Sequence, residues 1–383
     1  MPYTSATPPV TRRRVPELDG LRLVIMDFGT GRFIGGHDAD YLLALQRALD
    51  GTQLTTVAPF QNGLRLGRVG RYMLHLRTLL HELGRRDADR TVVIVHSPEF
   101  RDIVLFWLAT KLRRRSDAVG LFVFRRRADG IVGRNNWRAR FLEWIVPGLI
   151  RYGWIYPISD SRSALAEWTR GTGTTGTLIA IPPPLGSSAP HPLPTGGPVI
   201  GLIGSFRMEK GARHYDQVIR EALAAAPTAT VKVQVSKDRA GELADITGRL
   251  LDDWATEPRV EILTGHLTPE AYADLIGSTD VVVLPYEPST YSSGTSGVVH
   301  DTLALGRVVL TTRIAWAEEA YGDHDDVIWL QGTDPAAIRA GLKTALRRAL
   351  ARRSEVLTAP PDDTFARDWL DAIRAAAVGR KVR

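Results

Sequence analysis

At 383 residues, 44% hydrophobic and 24% charged, the chain has the length of two globular domains of about 100–200 residues each. The absence of cysteine excludes disulfides, thiolate metal sites and a cysteine nucleophile, and suits a reducing compartment. The net charge of +7 divides into 27 Lys+Arg against 16 Asp+Glu through Leu185, then 22 against 26, so a basic first half and a mildly acidic second half have different partners unless arginine bias alone set the split.

Residues 1–20 are Pro- and Arg-rich without an apolar core, unlike a signal peptide, and residues 1–16 read as a flexible basic tail. No apolar run nears the roughly 20 residues of a membrane span. Leu21–Phe28 reads as a strand, followed by a Gly-rich loop and a helix with leucines at helical spacing. Gly29, Gly31 and Gly35 superficially match a dinucleotide fingerprint, but the spacing is one residue too long. The other reading is that Gly35 and Gly36 let a helix start approach a ligand held by the opposite domain.

Leu54–Ala58 is a short strand, Arg71–Leu83 a helix and Thr91–Val95 a buried strand ending at His96. A His at a strand's carboxyl end faces the usual ligand side of an α/β sheet, and equally serves as a hydrogen-bonded structural His. Ile103–Lys111 is a mostly apolar helix followed by Arg113–Arg115, and the strand Val119–Phe124 is followed by Arg125–Arg127. Trp137–Ile158 mixes Trp, Phe and Tyr with Arg, a pattern of a membrane-surface helix or a half-buried core helix. Tyr156–Ser161 is a strand entering a helix capped by Asp160 or Ser161, and Thr177–Ile181 is the next strand. Residues 186–197 are Pro-, Gly- and Ser-rich without periodicity and form the linker between domains 17–185 and 198–355.

The second domain repeats the alternation. Pro198–Ile203, Thr230–Val235, Val260–Leu263, Val281–Leu284, Val308–Leu310 and Val327–Leu330 are strands. Leu243–Trp254, Ala271–Ile276, Gly297–Leu305 and Asp334–Leu350 are helices between or after them, and Thr364–Ala377 is a final helix. Alternating strands and helices in two halves imply an α/β chain with two Rossmann-like, doubly wound domains facing across a cleft. In Asp280–Thr312, the strand Val281–Leu284 stops at Pro285, and Ser292, Ser293, Gly294, Thr295 and Ser296 stand where a helix begins. Unpaired helix N–H groups and small hydroxyl residues there suit a diphosphate. The bland reading is an ordinary capped helix. In Gly204–Gly211, GSFRMEKG, Arg207 and Lys210 sit three apart after a strand end and reach the same phosphates. Gly204, Ser205 and Gly211 leave room for the backbone.

From about Val199 to Leu350 the sequence resembles the GT-B glycosyltransferases, most closely the retaining family 4 and its group 1 relatives. GSFRMEKG resembles the family's Gly-x5-Lys-Gly loop, which implies donor-diphosphate binding by Arg207 and Lys210. Gly265 and His266 match the loop beside the nucleotide base. DVVVLPY and SGVVHDTLALGRVVLTT match the donor-site strand, helix and strand. Asp301 falls at the second Glu of the family's Glu-x7-Glu motif, which holds the ribose hydroxyls, and Ser293 at the first, which contacts the sugar. The first half resembles the family only through Gly35-Gly36, His96 and Ser159–Ser161. The last helix resembles the one that crosses back onto the first domain.

The resemblance implies a nucleotide sugar as donor, no metal and no other cofactor, and a lipid-linked or glycan acceptor in polysaccharide or envelope glycan assembly. Arg207, Lys210 and the amides of Gly294–Ser296 would stabilise the leaving diphosphate. Retention needs no protein nucleophile; inversion would need a base such as His96 or Asp38. Glu318 and Glu319 read as helix caps. A cytoplasmic enzyme, peripheral on the anionic inner face of the plasma membrane through Arg113–Arg115 and Arg125–Arg127, follows from the basic first half. The rival readings are a nucleotide-sugar epimerase of the same fold and a degenerate scaffold. The basic residues carry no nucleic-acid-binding motif.

Overall fold

The computed structural model describes residues 18, 20–26, 41, 44–46, 49, 54–57, 68–85, 90–113, 118–125, 127–132, 137–182, 194, 196–235, 242–265, 267–291, 294–353 and 364–378. Two parallel six-stranded sheets organise the chain. The first contains β1 (Leu21–Met26), β2 (Leu54–Val57), β3 (Arg90–His96), β4 (Ala118–Val123), β5 (Ile155–Ser159) and β6 (Thr177–Leu178), in the order β2-β1-β3-β4-β5-β6. The second contains β7 (Val199–Leu202), β8 (Thr230–Val235), β9 (Val260–Thr264), β10 (Val281–Leu284), β11 (Val308–Thr312) and β12 (Val327–Leu330), in the order β12-β11-β10-β7-β8-β9.

The strand sequences explain this. RTVVIVH and AVGLFV are continuous apolar runs, buried on both sides, as a helix-covered parallel sheet requires. Alternate residues go to opposite faces. Val24, Met26, Val93, Val95 and Phe122 join one core with α1 (Arg68–Glu82), α2 (Phe100–Leu112) and α4 (Trp137–Arg151). Leu23, Ile25, Val92, Ile94, Leu121 and Val123 face a second core, which continues into Val282, Leu284 and Val309 of the second sheet and Ile203 just after β7. That continuous core also takes Phe365, Trp369, Ala372 and Ile373 of the last helix, Thr364–Val378, which lies against β3–β6. Asp368 there accepts from the Ala180 amide at 2.9 Å.

The helix α4 stops at Arg151, so Trp137–Ile158 is a helix and then a strand rather than one element. Gly153 takes a left-handed φ of +69°. The Trp154 amide donates to Leu149 O at 2.8 Å and the Gly153 amide to Ile150 O at 2.9 Å. This paired closure satisfies the last carbonyls and turns the chain into β5. Two further helices lacked a clear sequence signal: α3 (Ala128–Val132), and α10 (Ala315–Tyr321) after β11. The remaining ones are α5 (Arg162–Thr169), α6 (Tyr215–Ala225), α7 (Glu242–Trp254), α8 (Pro269–Gly277), α9 (Gly297–Ala304), α11 (Pro335–Arg352) and α12 (Thr364–Val378).

Candidate active site at the domain cleft

The two loops that the sequence marks for an anion lie at the carboxyl ends of adjacent strands, β7 and β10. They are fastened to each other. The Glu287 amide donates to Glu209 O at 3.1 Å. Gly211 has a φ of +81°, and a Cβ there would stand 1.9 Å from Pro285 O. Only glycine allows both the conformation and the approach. At the start of the loop, Gly204 has a φ of +121°, and its amide donates to Gln234 Oε1 at 3.0 Å. Ser205 is exposed, and the Arg207 guanidinium lies 3.5 Å from the Glu209 carboxylate.

Lys210 reaches the helix-start loop. Its Nζ lies 5.8 Å from the Tyr286 ring centroid and 5.7 Å from that of Tyr291. Those rings pack on each other, and the Tyr291 hydroxyl donates to Thr295 O at 2.8 Å. The Tyr286 hydroxyl shares a 2.7 Å hydrogen bond with Ser296 Oγ. Ser296 is the N-cap of α9, accepting from the Val299 amide at 3.4 Å. Burial first, then the neighbouring Tyr291, pushes the Tyr286 phenol well above its ordinary pKa. It therefore stays a neutral hydroxyl in the loop's hydrogen-bond framework. The ammonium, the helix start and this aromatic frame converge, which is an arrangement for a phosphate.

Asp301 lies one turn into α9 and is buried, with both carboxyl oxygens out of contact with solvent. Gly265 follows β9 with a φ of +106°, and its amide donates to Val235 O at 3.2 Å. Gly29, Gly31, Gly35, Gly36, Asp38, His266, Ser292 and Ser293 lie outside the described residues.

The first domain supplies the opposite wall. His96 ends β3, and its Nδ1 is 3.2 Å from Ser97 Oγ. Its ring packs on Tyr41, centroids 4.5 Å apart. The Tyr41 hydroxyl donates to Asp160 Oδ2 at 3.0 Å, and Arg125 Nε donates to the same oxygen at 2.8 Å. Arg125 Nη2 then crosses to the second domain and donates to Thr295 Oγ1 at 2.9 Å. Ser161, rather than Asp160, caps α5. The Arg125 side chain is only 13% exposed, the half-exposed Arg127 pairs with Glu167, and Arg126 lies outside the described residues. Sequence reasoning missed the Arg125–Asp160–Tyr41 group. Its only available signal was an Arg at the carboxyl end of a parallel strand.

Glu319 of α10 is a helix cap, but of a helix in the other domain. Its Oε1 accepts from the Arg162 amide at 2.5 Å and its Oε2 from the Ser163 amide at 3.2 Å, at the start of α5. Trp316 Nε1 donates to Asp160 O at 3.0 Å. Glu318 pairs with Arg313 instead.

Residues 197–348 match the family model for glycosyl transferases group 1. The second domain is a group 1 glycosyl transferase domain. Over its whole length the chain is similar in fold to sucrose-phosphate synthase from Thermosynechococcus elongatus, at 14% identity and a TM-score of 0.63, covering 94% of this chain and 100% of that one. Trehalose-6-phosphate synthase OtsA aligns at 12% identity and a TM-score of 0.64, covering 93% and 98%. The Anabaena protein HepE, in complex with UDP-glucose, aligns at 12% and 0.57, covering 92% and 99%. No curated protein sequence matches this one. The chain is thus a glycosyltransferase with the GT-B architecture, and the two fastened loops belong to its family-matched domain.

Proposed function

We propose that this glycosyltransferase transfers a sugar from a nucleotide-sugar donor to a lipid-linked or glycan acceptor held by the first domain. The observation that carries the reading is the convergence of Lys210 with the capped N-terminus of α9. The leaving group is a nucleoside diphosphate, so the chief task is stabilising the negative charge that develops on it. Lys210, Arg207 and the amides preceding α9 supply that stabilisation without a metal. The acceptor hydroxyl attacks the anomeric carbon, the bond to the diphosphate breaks, and the hydroxyl proton leaves with the departing phosphate. Retention of configuration fits this same-side route and needs no protein nucleophile. The UDP-glucose bound by HepE supports trying uridine donors first.

A cytoplasmic enzyme of polysaccharide or envelope glycan assembly, working at the inner membrane face, fits the outer helices of the first domain. The helices α1, α2 and α4 lie side by side and expose Val69, Met73, Leu112, Trp137, Trp144 and Tyr152. Arg77, Lys111, Arg113, Arg138, Arg140 and Arg151 are exposed on or beside them, against the exposed acids Glu99 and Glu143. Interfacial aromatics with cations suit an anionic bilayer, at about 1 kcal/mol per Lys or Arg near the surface. Among the described residues no helix is long and apolar enough to cross a membrane.

The test is calorimetric binding of UDP, GDP and dTDP to wild type and Lys210→Ala. Micromolar binding of one nucleotide, weakened about tenfold or more by the substitution, is expected. Absence of binding to all three would refute the donor site. Flotation with phosphatidylglycerol vesicles should fall for Trp137→Ser/Trp144→Ser, and unchanged flotation would refute the membrane face.

A further inference from the structure

The donor reading places all its cations in the second domain, yet an arginine of the first domain touches the same turn. Arg125 stands just beyond β4. Its Nη2 donates to Thr295 Oγ1, and Thr295 immediately precedes the N-cap of α9. Its aim is set from behind. Asp160 Oδ2 holds Nε at 2.8 Å, the Asp160 side chain is wholly buried, and Tyr41 donates to the same oxygen. The guanidinium also lies 5.1 Å from the Tyr41 ring centroid. The turn that carries Asp160 is itself fixed: Ser159 Oγ donates to Phe124 O at 2.5 Å, and the Ser161 amide donates to Ser159 Oγ at 3.0 Å.

Arg125 and Lys210 approach the turn from opposite domains, and the positive end of α9 adds to them. The carboxylate of Asp160 stands behind Arg125, and that of Asp301 is buried one turn into α9. A neutral hydroxyl is a weak acceptor for a mostly buried guanidinium, whereas a phosphate oxygen would form a charge-assisted bond.

We propose that Arg125 is a donor-binding residue supplied across the cleft, its guanidinium moving from Thr295 Oγ1 onto the donor diphosphate while Asp160 keeps its aim. This rests on the donor-site reading above and deepens it, because the diphosphate site is then complete only when both domains contribute.

The test compares nucleoside mono- and diphosphates of the best-bound base, by calorimetry, on wild type, Arg125→Ala, Arg125→Lys and Lys210→Ala. Arg125→Ala should weaken the diphosphate tenfold or more and lower the ratio of diphosphate to monophosphate affinity. Arg125→Lys should recover part of that ratio, since charge returns without the fork. Because Arg125→Ala leaves Asp160 charged and buried, Arg125→Met/Asp160→Asn removes both groups and should show the same loss of ratio with cooperative unfolding retained. If Lys210→Ala loses diphosphate binding while the Arg125 variants keep the wild-type ratio, Arg125 is only a strut between the domains and the proposal falls. An equal loss of mono- and diphosphate binding in the Arg125 variants overturns it too. If Lys210→Ala also leaves binding unchanged, the donor site itself is misplaced, and this proposal falls with it.

Discussion

Replacing Gly211 with alanine tests whether the two loops are seated on each other. The residue has φ +81° and ψ +23°, a left-handed conformation that costs an L-residue with a Cβ about 1–2 kcal/mol. The new methyl would stand 1.9 Å from Pro285 O and 2.7 Å from Pro285 C. These are backbone atoms, so no side-chain rotation relieves the overlap. The loop must separate from the end of β10, which strains or breaks the 3.1 Å bond from the Glu287 amide to Glu209 O, roughly another 1 kcal/mol. Together the loss is about 2–3 kcal/mol, a Tm decrease of roughly 4–12 °C for a domain of this size. Separation also draws Lys210 away from Tyr286 and Tyr291, so nucleoside diphosphate binding should weaken at least tenfold. Gly248→Ala is the control: it lies in α7, away from both loops, and a Cβ there would meet nothing within 4 Å. Thermal unfolding and calorimetry read both variants. Wild-type stability and affinity in Gly211→Ala would refute the seating of the loops.

Two further outcomes are expected. Glu319→Ala removes the cross-domain cap of α5 and should cost about 0.5–1 kcal/mol, because the pair is exposed, while limited proteolysis at the cleft accelerates; unaltered proteolysis would count against a contact that limits opening. The imidazole of buried His75 is lowered to a pKa of about 4 by burial, with Arg101 and Arg71 adding to it. The unfolded chain then takes up a proton below about pH 6.5 that the folded chain refuses until about 4, so stability is lost as pH falls through that window. Asp102, raised to about 6 by burial, works the other way, with stability lost as pH rises from its ordinary value through 6. The stability of His75→Leu relative to wild type should therefore improve by a few kcal/mol between pH 6.5 and 4 in urea titrations; a pH-independent difference would refute the assignment.

The elements that could be read from sequence are those whose cause is local. Thr268-Pro269-Glu270 starts α8 as its composition says, with Thr268 Oγ1 accepting from the Ala271 amide at 3.2 Å. The apolar run Val281–Leu284 is β10, residue for residue. Lys210 and Ser296 were legible because glycines, hydroxyls and a cation were contiguous. What escaped the sequence joins distant positions. Tyr41 and Asp160 are 119 residues apart, and Arg125 and Thr295 are 170 apart. Nothing near Arg125 separates an aimed arginine from its neighbours in an arginine run; only the carboxylate behind it does. Glu319 reads as a cap from its surroundings, but the helix it caps begins 157 residues earlier.

These distant contacts meet on one short stretch, and that has a consequence for how the cleft works. Asp160 presents its carbonyl to Trp316 of the second domain and its carboxylate to Arg125. The helix that starts two residues later takes its cap from Glu319. Residues 159–163 therefore meet the second domain at two places directly and at a third through Arg125. Each of the four hydrogen bonds at these places contributes about 0.5–1.5 kcal/mol net, and together they contribute only a few. The apolar core shared by the domains holds them together, whereas this polar set is small enough for a ligand to reorganise. A donor that engaged Arg125 would replace its bond to Thr295 by a stronger one between the same two domains. Donor binding and domain closure would then be a single equilibrium, with the turn at Asp160 as the part that couples them.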